Sequence, residues 1–222
     1  MNTSLVIFDL DGTLINSIND LAAATNHALS ILGYPTHHVS AYPYYVGNGV
    51  TKLIERALPS DVRTPEVIER ARKEFMAYYD EHDTDESTPY PGVPELLRDL
   101  NDRGIRLAVA SNKYQRAVEL LVPHFFPDVP WVAVEGQKPG VPTKPDPSIV
   151  FEILSKSPTP KSEVLYVGDS GVDMVTASRA GVTSVGVTWG FRPESELVAS
   201  YADFIISQPD SLMSVIESRL KF

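Results

Sequence analysis

The chain has 222 residues, a net charge of −10 and no cysteine. That length allows one domain or two modest ones around a proper core, and the acidic balance argues against nucleic-acid or anionic-membrane partners. The missing thiol excludes disulfides, thiolate catalysis and zinc–thiolate sites.

The first predicted element is a buried strand, the apolar run Leu5-Val6-Ile7-Phe8. It ends in Asp9 and Asp11, with Gly12 directly after them. Carboxylates at a buried strand end are costly unless compensated, and a hard cation compensates them. Solvated turn acids are the other reading of an isolated pair, and the rest of the chain decides between the two. Apolar residues from Ile18 to Leu32 recur at spacings of three and four, which predicts an amphipathic helix ended by Gly33 and Pro35. Val50, Leu53, Ile54 and Ala57 predict a second helix, and Pro65 opens a third that runs past Tyr79. The acidic stretch from Asp80 to Glu86 reads as a solvated hinge. No apolar stretch approaches the roughly 20 residues of a membrane span. The first Lys or Arg is Lys52, so no signal peptide is expected and a cytoplasmic protein is.

Beyond Tyr90 the pattern alternates. Helices are predicted over 94–103, 115–122, 148–154, 173–179 and 211–220, and strands over 105–110, 132–134, 164–167, 184–187 and 204–206, the last at an edge. Such alternation implies an α/β fold, a doubly wound parallel sheet with helices on both faces. The all-helical segment is then an insertion after the first strand. The expected division is a core of 1–16 and 84–222 with a smaller helical cap of 17–83.

Four predicted strand ends or loops carry polar chemistry. Asp9/Asp11 is the first, and Ser111-Asn112 the second, where free amides at a starting helix would suit an anion. Ser111 as a plain helix cap is the alternative. Third comes Lys144, between Pro142 and Pro145 on a rigid loop, able to pair with a phosphate or to damp carboxylate repulsion. Fourth is Gly168-Asp169-Ser170-Gly171-Val172-Asp173, which again delivers acids to a strand's carboxyl end. Gathered at one end of a parallel sheet, these residues offer oxygen ligands suited to Mg²⁺ and a cradle suited to a phosphoryl group. Within the helical segment, Gly47-Asn48-Gly49 is either a loop closing over a small ligand or an ordinary turn. Gly12, Asn112, Gly47 and Asn48 are the candidate substrate-binding residues. No histidine has metal-site spacing. Tyr42, Tyr44 and Tyr45 read equally as an entrance lining or as packing, and Trp189 and Phe191 as cover for the core.

Asp9-Leu10-Asp11-Gly12-Thr13, Ser111-Asn112, Lys144 and Gly168-Asp169-x-x-x-Asp173 together resemble the four motifs of the haloacid dehalogenase superfamily, with the helical insertion resembling its C1 cap. The resemblance implies Asp9 as nucleophile, Asp11 as general acid/base, and Ser111 and Lys144 as phosphate-holding groups. It implies Mg²⁺ held by Asp9, the Asp11 main-chain carbonyl and Asp169, with Asp173 in support. Stretches such as 14–21, 45–50, 55–58 and 90–93 are similar to phosphoglycolate phosphatases, although Asn16 stands where many relatives have an acid. The expectation is a Mg²⁺-dependent phosphatase acting on a small phosphorylated metabolite, 2-phosphoglycolate first, as a monomer or homodimer. A phosphatase or mutase for a sugar phosphate, nucleotide or pyrophosphate is the alternative. A receiver-type signalling module and an inactive phosphate binder are the non-enzyme readings. The first conflicts with a nucleophile on the first strand, the second with filled catalytic positions.

Overall fold

The computed structural model describes residues 3–219. Strand β1 (Leu5–Phe8) is buried along its whole length. Its side chains alternate between two separate clusters, Val6 and Phe8 in one and Leu5 and Ile7 in the other. A strand covered on both faces has no polar side to present, which is why its sequence is continuously apolar.

The chain leaves the sheet through β2 (Ile15–Asn16), passes α1 (Ile18–Ile31), α2 (Val50–Ala57) and α3 (Pro65–His82), and returns through β3 (Thr88–Pro89). The outgoing and returning pieces pair antiparallel, Ile15 with Pro89 and Asn16 with Thr88. Helix α3 starts as its sequence predicts, with Pro65 in the first turn and the Thr64 hydroxyl accepting from the Val67 amide. The three helices enclose a core of their own around Leu29, Tyr42, Ile54, Ala71, Phe75 and Tyr79.

Then follow α4 (Val93–Asp102), β4 (Arg106–Tyr114), α5 (Gln115–Phe125), β5 (Ala133–Gln137), α6 (Ser148–Lys156), β6 (Val164–Gly168), α7 (Gly171–Ala180) and β7 (Thr183–Val187). Helix α8 (Glu194–Ala199), β8 (Phe204–Ile206) and α9 (Ser211–Arg219) complete the described chain. The six-stranded sheet has the order β5-β4-β1-β6-β7-β8, and its pairs are all parallel. Helices α4, α5 and α9 pack on one face, α6 and α7 on the other. This is the doubly wound α/β architecture expected from the alternation, with β8 at an edge. No helix among the described residues is long and apolar enough to cross a membrane.

Three local expectations change. Strand β4 continues to Tyr114 rather than stopping at Ala110, and its register against β5 shifts between those residues. Ser111 and Asn112 therefore lie in the irregular tail of a strand and not at a helix start, because pairing with β5 holds the backbone extended until Gln115. Helix α7 begins at Gly171, two residues early, through a capping box between Ser170 and Asp173. Helix α8 lacks a periodic apolar stripe long enough to announce itself; its buried residue is Leu197. Leu220, expected in the last helix, lies outside the described residues.

Candidate active site

Strands β1, β4 and β6 are neighbours, so their carboxyl ends bring Asp9, Ser111 and Asp169 to one rim of the sheet. Asp9 extends β1 by one residue, donating its amide to the Val167 carbonyl, while its carboxylate accepts from the Leu10 amide at 2.7 Å. Carboxylate oxygens of Asp9, Asp169 and Asp173 lie within 4.8 Å of one another. Between these acids sits the ammonium of Lys144, 2.9 Å from Asp9 and 2.7 Å from Asp173, with a third bond to the Ala110 carbonyl at 3.0 Å. The ammonium thus hydrogen-bonds Asp173 and the Ala110 carbonyl and forms an ion pair with Asp9, and its side chain is 1 % exposed. Of the two roles open to Lys144 in the sequence, these ion pairs are the contacts that charge damping requires.

Burial is the main reason that the Asp9 carboxyl is pushed up to about 7; Asp173 and Asp11 add to the rise, and Lys144 opposes it. Asp169 is raised well above the ordinary range, first by burial and then by Asp173 and Asp9. Burial works against the charge on Lys144, yet Asp173 and Asp9 outweigh it and raise its pKa well above normal. Three acids facing one lysine leave excess negative charge in a dry place, and all the side-chain donors are hard oxygens. Such a set fits a hard divalent cation such as Mg²⁺ and does not suit a soft one.

Asp169 is held by the Phe191 amide, which donates to its Oδ2 at 2.7 Å. Gly12 has a φ of +88°, and a Cβ there would overlap the Asp169 carboxylate; the backbone turn and the close approach both require glycine. Asp173 is fully spoken for, one oxygen on Lys144 and the other accepting from the Ser170 hydroxyl at 2.6 Å and its amide at 3.2 Å.

Asp11 faces away from this cluster. Its carboxylate accepts from the Ser17 hydroxyl at 2.6 Å and from Lys113 at 3.0 Å on each oxygen. Ser111 lines the same cleft and accepts from the Lys113 amide at 3.2 Å. Asn112 acts as a strap: its amide donates to the Gly47 and Lys144 carbonyls, at 3.0 and 3.1 Å, and its oxygen accepts from the Lys144 amide at 2.9 Å. Gly47 therefore sits beside the sheet rim, on the cleft wall, whereas Asn48 turns to Arg56, whose Nη2 donates to it at 2.7 Å.

The cleft lies between this rim and the helical segment, with Val46, Gly47, Leu53, Phe75 and Tyr79 across from the acids. Its free space is about 60 Å³. Sequence reasoning misses Lys113, Phe191 and Tyr79 as cleft residues. Lys113 was legible in one respect, since it directly follows Ser111-Asn112; ending the strand at Ala110 hides it. Phe191 packs against the helices rather than over the sheet, and Trp189 covers the sheet as expected. Tyr42 is buried in the helical core with its hydroxyl on Asn26, so of the three tyrosines it is packing.

A family model described as haloacid dehalogenase-like hydrolase matches residues 6–187. A phosphoglycolate phosphatase of Vibrio parahaemolyticus is 34 % identical over 218 residues, covering 96 % of this chain and 95 % of that protein. Another, from Pseudomonas syringae pv. tomato, is 36 % identical over 205 residues, 86 % of this chain and 73 % of its own. Among solved structures, a Lactobacillus delbrueckii subsp. bulgaricus protein assigned as a phosphoglycolate phosphatase superposes with a TM-score of 0.90 at 29 % identity, over 97 % of this chain and 99 % of that one. With the acid-lined rim and the parallel sheet, these likenesses agree: the chain belongs to the haloacid dehalogenase-like hydrolases, as one of their phosphatases.

Proposed function

We propose that this enzyme hydrolyses a small phosphomonoester, 2-phosphoglycolate by preference, through a phosphoaspartate on Asp9, with residues 17–83 serving as a cap over 1–16 and 84–222. The observation that carries this reading is the convergence of Asp9, Asp169, Asp173 and Lys144 at one strand rim, with Asp11 beside them in a small cleft. The names of the relatives supply the substrate preference.

In this reading the free oxygen of Asp9 attacks phosphorus and the ester oxygen leaves. Asp11 gives that oxygen a proton, then takes one from the water that cleaves the phosphoaspartate. Asp9, Asp169 and the Asp11 carbonyl would hold Mg²⁺, supported by Asp173, and the ion supplies positive charge against the phosphoryl oxygens. Lys144 sets the charge beneath Asp9 without needing a free proton donor, and Ser111 offers its hydroxyl on the phosphate side. Gly12 permits close packing of the backbone, and Asn112 and Gly47 shape the cleft wall, while Asn48 holds Arg56.

A phosphate-release screen with Mg²⁺ across phosphoglycolate, sugar phosphates, nucleotides and pyrophosphate tests the reading. Phosphoglycolate should be preferred, and Asp9→Asn should lower turnover about a thousand-fold or more. Preference for a nucleotide or sugar phosphate removes the substrate assignment; full activity in Asp9→Asn removes the mechanism.

A further inference from the structure

Lys113 is a second buried cation in the cleft, and its situation differs from that of Lys144. Its side chain is 4 % exposed, and its ammonium touches both oxygens of Asp11. It also lies 4.7 Å from the ring centre of Tyr79, which comes from α3 across the cleft. Tyr79 is itself fully buried, and its hydroxyl has no hydrogen-bond partner among the described residues. Burial and the surrounding aspartates, Asp11 first among them, push that phenol well above its usual pKa and keep it a proton donor. A buried hydroxyl without an acceptor is unfavourable, and a ligand that supplies one relieves the cost.

We propose that Lys113 and the Tyr79 hydroxyl together read a second anionic group on the substrate, a carboxylate a few atoms from the phosphorus. The proposal rests on the phosphatase reading above and names what selects its substrate. The incoming carboxylate replaces Asp11 on Lys113, one negative charge for another, so the buried ammonium is never left unpaired. Asp11 keeps its bond from Ser17 and loses the partner that occupies both its oxygens, which frees it to handle the ester proton. A neutral-tailed ester offers nothing to exchange. The small volume of the cleft restricts the tail to a few atoms.

The test compares kcat/KM for 2-phosphoglycolate with that for 2-hydroxyethyl phosphate, which has nearly the same shape and no carboxylate. Wild-type enzyme should favour the carboxylated ester about 100-fold. Lys113→Met should cut this ratio to about 10 or less, with Lys113→Arg restoring part of it. Tyr79→Phe should lower the ratio several-fold without lowering Tm, because the lost hydroxyl has no hydrogen-bond partner among the described residues. A wild-type ratio near one overturns the proposal, and so does an equal fall for both esters in Lys113→Met, which would mark Lys113 as merely structural. If phosphate is released from both esters but their ratio ignores Lys113 and Tyr79, the phosphatase reading stands and this inference fails. If neither ester is hydrolysed while other phosphates are, the substrate reading fails and takes the inference with it.

Discussion

At the scale of single residues, Asp9 links protonation to stability. Its carboxyl rises from 3.8 to about 7 on folding, chiefly through burial, so the folded chain takes up a proton that the unfolded chain releases. The stability from this group is full below pH 4 and is lost as pH climbs through 7. In EDTA, Tm should therefore fall between pH 5 and 8, and Asp9→Asn should show a shallower fall; Asp169, raised for the same reasons, keeps part of the slope. Added Mg²⁺ should flatten the wild-type curve by favouring the ionised acids. Differential scanning fluorimetry across pH checks this, and a flat wild-type profile in EDTA would contradict it.

At the scale of elements, the seam where the chain leaves and re-enters the sheet is tied by one buried acid. Asp20, in the first turn of α1, accepts from the amides of Glu86 and Ser87 and from the Ser87 hydroxyl, the last at 2.6 Å. The acidic run from Asp80 to Glu86 exposes most of its carboxylates, as expected of a solvated stretch, and is also tied at both ends: Asp80 accepts from the Tyr114 hydroxyl and pairs with Arg116 at 3.4 Å. Removing the Asp20 carboxylate strands two backbone donors beside β3. Asp20→Ala should cost about 2–3 kcal/mol in urea unfolding, the range for losing bonds to a buried charged acceptor. A change below about 0.5 kcal/mol would show that water replaces the bonds.

At the scale of the whole molecule, the sheet core and the helical core meet across the cleft through few polar ties. Arg192, on the loop after β7, donates to the Val46 carbonyl at 3.1 Å, and its guanidinium lies 5.8 Å from the centre of the exposed Tyr44 ring. Asn112 makes a second tie, to Gly47, and Asp80 of α3 adds its bonds to Tyr114 and Arg116. If the helical segment closes on the substrate, Arg192→Ala should loosen the closed form and raise KM about ten-fold, more than it lowers kcat. Steady-state kinetics on the preferred ester reads this split, and a loss confined to kcat would instead give Arg192 a part in the chemical step.

The sequence by itself determined the alternation of strands and helices, the buried first strand, the helical insertion and the order in which acids and lysine arrive at strand ends. Those properties are local: period, turn residues and apolar runs act over a few positions, and a parallel sheet places successive strand ends on one rim. Only the tertiary structure decided who faces whom. Lys113 and Asp11 are 102 positions apart, and their pairing depends on β4 lying next to β1 and on the shifted tail of β4. The commitment of Lys144 to two acids from different elements, the empty-handed Tyr79 hydroxyl and the turn of Phe191 toward Asp169 belong to the same class. Side-chain partnership follows strand order, register and the docking of the helices, and no short stretch of sequence holds that information. The two aspartates after β1 were therefore visible as a pair from the start, while their separation, Asp9 among acids and Asp11 on Lys113, needed the folded chain.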